Sequence, residues 1–88
     1  MTVELDGRLM YDRASVHDIL QTQLNLPDYY GRNLDALYDL LTEQGEPMVI
    51  VVQYSEELKE QLGRYAAALL RTLLEAAGRN PNLTIRIE

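Results

Sequence analysis

The sequence predicts an α/β fold: a three-stranded parallel sheet, strand order 1-2-3, carrying four helices in the order βααβααβ. Three observations predict it. "PMVIVVQY" (47–54) is an unbroken β-branched run, the pattern of a strand buried on both faces in the middle of a parallel sheet. "TVELD" (2–6) and "LTIRIE" (83–88) alternate apolar and polar residues, which suits edge strands. Helical spacings fill both intervals between strands, and a helix between two strands implies a crossover to a parallel neighbour.

Each element has its own reason. The first strand puts Val3 and Leu5 on one face and ends before Gly7. "ASVHDILQTQLNL" (14–26) spaces Val16, Ile19, Leu20 and Leu24 for a helix. Ser15, with Asp18 three residues later, resembles a capping box, and Pro27 is the expected stop. Asn33 suits the N-cap of a second helix running to about Leu41. After the middle strand, Ser55 is the expected cap of a short helix carrying Leu58 and Leu62, with Gly63 weakening its end. "RYAAALLRTLLEAAG" (64–78) is a run of good helix formers, with Gly78 as its expected close. "NPN" (80–82) is a turn. The last strand puts Leu83, Ile85 and Ile87 on one face.

Composition narrows the function classes. The 88-residue length suits one domain, 1–88, and 47% hydrophobic residues argue against disorder. A formal net charge of −6 and a pI near 4.6 argue against nucleic acid or an anionic membrane as partner. The absence of cysteine excludes disulfides, zinc–thiolate sites and thiol catalysis. "MTVELDGRLMYDR" has no basic start leading into an apolar run, so no signal peptide is expected. No apolar segment approaches the roughly 18 residues of a membrane span. The cytoplasm is the expected location, with neither metal nor cofactor.

The second helix carries the most informative face. At 100° per residue, Leu34, Leu37, Leu40 and Leu41 define its buried side. Tyr38, Asp35, Thr42 and Asp39 form the opposite strip. Asp35 and Asp39 stand at i,i+4, a like-charge pair that costs about 0.2–0.5 kcal/mol. Asp35 recovers this through the helix dipole in the first turn. Asp39 lies too far along, and nothing local rewards it. The preceding turn adds Tyr29, Tyr30 and Gly31, and tyrosine is an efficient interface anchor. The resulting surface is aromatic and acidic, a docking face for a cationic cleft.

Plainer readings stand beside this one. A solvated acidic helix face would show the same spacing. One of the adjacent tyrosines is expected in the core, and the sequence does not choose between them. His17, the only histidine, reads as a surface or structural helix residue, with no partner evident in the sequence. Glu56, Glu57 and Glu60, with Lys59 among them, read as a solvated face. Asn33 is first a cap and second a contact residue.

"LPDYYGRNLDALYDLLT" (26–42) resembles the signature of the barstar family, intracellular protein inhibitors of barnase-type ribonucleases. The family pattern is Leu-Pro-acidic-Tyr-Tyr-Gly-x-Asn-Leu-Asp-Ala-Leu-aromatic-Asp-x-Leu-Thr, and every defined position is met. Further matches run along the chain: "VELDG" (3–7), "SVHDILQTQLNL" (15–26), "EPMVIVV" (46–52), "LLEA" (73–76) and "LTIRI" (83–87). The resemblance implies a three-stranded parallel sheet with four helices, in agreement with the reading above.

The resemblance also implies occlusion of a ribonuclease active site by the second helix and the loop before it. It assigns Asp39 to a position where RNA phosphate would bind and Asp35 to a second acidic contact. It assigns Tyr29 to packing against the catalytic edge, and Gly31 and Asn33 to loop and helix-start contacts. Tyr30, Leu34, Tyr38, Thr42, Glu43, Gln44 and Glu75 complete the implied partner-binding set. Tyr38 stands where the family has tryptophan. The loop "TEQGEP" (42–47) lacks a family tryptophan and is one residue shorter. The motif's buried cysteine is Leu40 here. Pro47 matches a cis proline of the family, so the resemblance raises cis for the peptide between Glu46 and Pro47, while the shortened loop leaves trans open.

The leading reading is therefore a one-to-one protein inhibitor of a small basic microbial ribonuclease, monomeric when free. The alternatives are an immunity protein against another basic toxin, such as a DNase, and a divergent adaptor that no longer binds nuclease. An enzyme finds no support: there is no cysteine, one lone histidine, and carboxylates on an exposed helix.

Overall fold

Met48–Gln53 forms the central strand, β2, in a computed structural model that describes residues 1–88. It pairs in parallel with β1 (Thr2–Asp6) on one side and β3 (Leu83–Ile87) on the other, giving the order β1-β2-β3. Register sets Ile50 between Val3 and Ile85, and Val52 between Leu5 and Ile87. Four helices supply the crossovers: α1 (Arg13–Gln23), α2 (Leu34–Thr42), α3 (Ser55–Leu62) and α4 (Arg64–Arg79). A single 3₁₀ turn, Gly7–Leu9, follows β1. The expected architecture is the observed one.

The core lies on one side of the sheet. Val3, Leu5, Met48, Ile50, Val52 and Leu83 meet Val16 and Leu20 of α1, Leu37 and Leu41 of α2, Leu58 of α3, and Leu69 and Leu73 of α4. The middle strand is buried on both faces where the sequence expected it, with Ile50 and Val52 on one face and Val51 on the other, while Val49 is half-buried. Val51 is buried, yet it stands outside this core. Its neighbours in register, Glu4 and Arg86, are exposed.

Helix ends differ from expectation in instructive ways. Asp12, not Ser15, caps α1: its carboxylate accepts from the Ser15 N–H at 2.7 Å. The Ser15 hydroxyl accepts in turn from the Asp12 N–H at 3.1 Å, closing a capping box one turn earlier than the sequence suggested. α1 stops before Pro27, at Gln23, with Asn25 left-handed at φ 54°. Ser55 is the first residue of α3 rather than its cap; Tyr54 precedes it in the left-handed region without a side-chain cap bond. Gly63 turns the chain between α3 and α4 at φ 55°, a conformation that favours glycine. α4 runs through Gly78 to Arg79, because Asn80 ends it. All peptide bonds are trans, including that between Glu46 and Pro47, so the cis state raised by the resemblance is not adopted here.

Asn80 joins the parts. Its buried side chain donates to the Leu41 and Gln44 carbonyls, both at 2.9 Å, and accepts from the Asn82 N–H at 3.0 Å. The Leu41 carbonyl lies in the last turn of α2, where helical partners run out. Beside the Gln44 N–H, which reaches the Leu41 carbonyl at 3.3 Å, this side chain adds a second donor at the end of α2 and fixes that end to the turn that feeds β3.

Candidate functional site

The candidate face begins where α1 ends. The Leu26 N–H donates to the Gln21 carbonyl at 3.0 Å, and the Tyr30 N–H to the Pro27 carbonyl at 2.9 Å, so the chain turns tightly through Pro27. This separates the two adjacent tyrosines. Tyr30 points inward and is 5% exposed, while Tyr29 is 81% exposed. Tyr30 is therefore the core tyrosine that the sequence could not single out.

The buried end of Tyr30 meets His17. The tyrosine hydroxyl lies 2.5 Å from His17 Nδ1, and Nε2 lies 2.6 Å from the Tyr65 hydroxyl of α4. His17 is a buried structural residue with two partners. Burial, then Arg32 and Arg13, pushes its pKa below the ordinary 6.5 and keeps the ring neutral. Burial likewise raises the pKa of both tyrosines, so their hydroxyls keep their protons.

Gly31 and Asn33 form the entry to α2. A Cβ at Gly31 would lie 3.2 Å from both the Ala36 Cβ and Asn33 Nδ2, a tight approach that either side chain would have to relieve by shifting. Asn33 caps α2 as expected: its Oδ1 accepts from the Ala36 N–H at 2.7 Å and its Nδ2 donates to the Gly31 carbonyl at 3.1 Å. Arg32 between them is left-handed at φ 56°. Its guanidinium reaches back to α1, donating to Asp18 at 2.6 Å, Gln21 at 3.0 Å and the Ala14 carbonyl at 3.2 Å.

On α2 the buried stripe is narrower than the spacing suggested. Leu37 and Leu41 are fully inside, whereas Leu34 and Leu40 are half-buried. Asp35 and Asp39 are exposed, and Tyr38 and Thr42 are half-buried beside them. The Thr42 hydroxyl donates to the Asp39 carbonyl at 3.0 Å. Arg79 Nε donates to the Tyr38 hydroxyl at 3.2 Å. Glu75, exposed and one turn before Arg79, is therefore on the side of α4 that meets Tyr38. None of the four ion pairs in the structure involves Asp35, Asp39, Glu43 or Glu75.

A groove of about 220 Å³ lies between loop and helix. Tyr29, Tyr30 and Gly31 form one wall; Ala36, Asp39, Leu40 and Glu43 form the other. Five of the candidate residues line it, Tyr29, Tyr30, Gly31, Asp39 and Glu43, while Asp35 lies outside the lining, one turn before Asp39 on α2. Asn33, Leu34, Tyr38, Thr42, Gln44 and Glu75 lie outside its lining. Gln44 is half-buried and occupied with structure, its carbonyl accepting from Asn80 and its amide donating to the Glu46 carbonyl at 3.3 Å. A larger depression of about 510 Å³ at the carboxyl end of β2 contains none of the candidates; Gln53, Tyr54, Ser55, Glu56, Glu57 and Glu88 line it.

The arrangement offers carboxylates and aromatic surface to a cationic partner. No cluster of His, Asp or Glu is placed to hold a metal ion. No helix is long and apolar enough to cross a membrane. Sequence reasoning missed Arg32, which occupies an undefined motif position, and Tyr65 and Asn80, whose partners are 48 and 39 residues away.

The family model described as "Barstar (barnase inhibitor)" matches residues 1–88. A Bacillus subtilis (strain 168) protein named "Putative ribonuclease inhibitor YrdF" is 42% identical over 73 residues, covering 82% of this chain and 80% of the relative.

Proposed function

This chain belongs to the barstar family, and from that premise we propose that it inhibits a small basic microbial ribonuclease in a one-to-one complex. Residues 29–42 enter the active site of the enzyme, and Asp39 takes the position of an RNA phosphate. A nuclease cleft is lined with cations to hold phosphate, and a carboxylate makes charge-assisted hydrogen bonds to the same groups. Tyr29 covers the rim, and Asp35, Glu43 and Glu75 extend the acidic field around it. The protein acts in the cytoplasm, with neither metal nor cofactor, and binds neither nucleic acid nor membrane.

One observation carries the reading. Asp39 stands exposed, without a cation of its own, on the edge of a groove walled by a tyrosine that is 81% exposed. Free in solution, that charge is tolerated rather than used; a cationic cleft gives it a purpose. The test is a pull-down on immobilised protein, followed by a ribonuclease assay of the eluate. Ribonuclease activity recovered by wild type and lost with Asp39→Ala supports the reading. Recovery of an exclusively DNA-cleaving partner moves the target to a DNase, and equal recovery by both proteins contradicts the role of Asp39.

A further inference from the structure

We propose that Tyr65 and Arg32 are positioning residues, holding the 26–33 loop in its binding shape before any partner arrives; the inference rests on the inhibitory face proposed above. The loop needs outside support. Its own backbone bonds are few, and it is bounded by two left-handed residues, Asn25 at φ 54° and Arg32 at φ 56°. Asparagine tolerates that region, whereas arginine is strained in it. Tyr29, largely exposed, takes its place only from the backbone around it.

Two pins provide the support, one on each side of Gly31. The inner pin runs from Tyr30 through His17 to Tyr65, linking the loop to α1 and α4. A neutral imidazole has one donor and one acceptor nitrogen. It therefore donates to one tyrosine hydroxyl and accepts from the other, which leaves it saturated and unable to turn without breaking both bonds. The Arg13 guanidinium lies 4.5 Å over the Tyr65 ring and closes the outer end. The second pin is Arg32, with three acceptors on α1, while Gln21 of the same helix donates to the Pro27 carbonyl at 3.3 Å. α1 is the plate to which the loop is fixed.

Hydrogen exchange in the free protein tests this without a partner. Tyr65→Phe keeps the ring and loses only the hydroxyl. Exchange of the Leu26 and Tyr30 amides should accelerate about fivefold in Tyr65→Phe. In Arg32→Ala, whose bonds are exposed, it should accelerate about threefold. Amides of β2 read global unfolding separately. A merely structural loss speeds β2 and leaves the loop's local exchange as in wild type, which overturns the proposal. Arg32 is at the surface, so its variant decides the matter even if Tyr65→Phe fails to fold. In the double variant, inhibition should weaken about threefold or more, because only the closed loop is competent to bind. Faster loop exchange with an unchanged inhibition constant would overturn the positioning role. Should wild type inhibit no nuclease, the functional reading falls, while the exchange arm still decides whether the pins hold the loop.

Discussion

Replacing Asp39 with asparagine should stabilise the free protein slightly and weaken inhibition severely. The two effects have opposite signs because the charge serves no purpose inside the molecule. Asp39 is exposed, follows Asp35 by one turn, and takes part in no ion pair. Removing the like-charge pair should return about 0.2–0.5 kcal/mol. The Thr42 hydroxyl bonds the main-chain carbonyl of residue 39, so that contact survives the substitution. In the complex the balance reverses. Cations of the nuclease cleft would be desolvated against a neutral amide, which costs about 3–5 kcal/mol. That is about two to three and a half orders of magnitude in affinity. Urea denaturation and inhibition titration on the same preparations measure both quantities. Glu60→Ala, on the exposed side of α3, is the control and should leave inhibition within about twofold. A destabilised Asp39→Asn protein, or one that inhibits as well as wild type, would refute the reasoning.

Other consequences can be checked in the same way. Asn80→Ala removes the shorter of two bonds to each of the Leu41 and Gln44 carbonyls, leaving the longer ones from the Gln44 N–H at 3.3 Å and Asn82 Nδ2 at 3.4 Å, and takes the side-chain acceptor from the Asn82 N–H. The expected loss is about 2–4 kcal/mol in the denaturation free energy, and a loss under about 1 kcal/mol would contradict the joining role. His17 is held below its ordinary pKa of 6.5, chiefly by burial, so the unfolded chain takes up a proton that the folded chain refuses. Stability is then fully present above about pH 6.5 and falls as the pH drops below that value. His17→Gln should flatten this limb in denaturation curves from about pH 7.5 to 5; an unchanged slope would contradict the assignment. The pairing of Asp6 with Arg8 lowers the Asp6 pKa from 3.8 and acts only in a more acidic window. Association with the nuclease should slow as ionic strength rises, because screening shortens the reach of surface charge to about 8 Å at physiological salt. Glu43→Gln should mainly slow association, and Asp39→Asn mainly speed dissociation. A stopped-flow rate independent of salt would contradict steering by the net charge of −6.

What was legible in the sequence follows from how far each signal reaches. Periodicity is local, so Val3 and Leu5, the 47–54 run and the 64–78 helix gave the element order and the parallel topology. Asn33 was legible as a cap because its partner, the Ala36 N–H, is three residues away. Ends were less legible where two residues compete for one role. Asp12 took the cap from Ser15 because its carboxylate meets the Ser15 N–H, and the Ser15 hydroxyl then returns the bond. Gly78 has the composition of a helix end, yet Asn80 ends the helix because Leu41 and Gln44 hold its side chain in place. The choice between Tyr29 and Tyr30 depends on His17, and the role of His17 depends on Tyr65; neither contact has a sequence period. The acidic strip was legible in outline, because Asp35 and Asp39 share a face by helix geometry alone. The groove beside it was not, since it needs the loop folded back over Ala36 and Leu40.

Titration of ribonuclease activity separates an inhibitor from a protein that only shares the fold. A fixed micromolar amount of a barnase-type or guanine-specific ribonuclease is mixed with increasing amounts of the wild-type protein, and residual RNA cleavage is measured. Activity of at least one of these enzymes should fall linearly to zero, with the break at one inhibitor per enzyme. Undiminished cleavage by every such enzyme at micromolar inhibitor would contradict the inhibitory role.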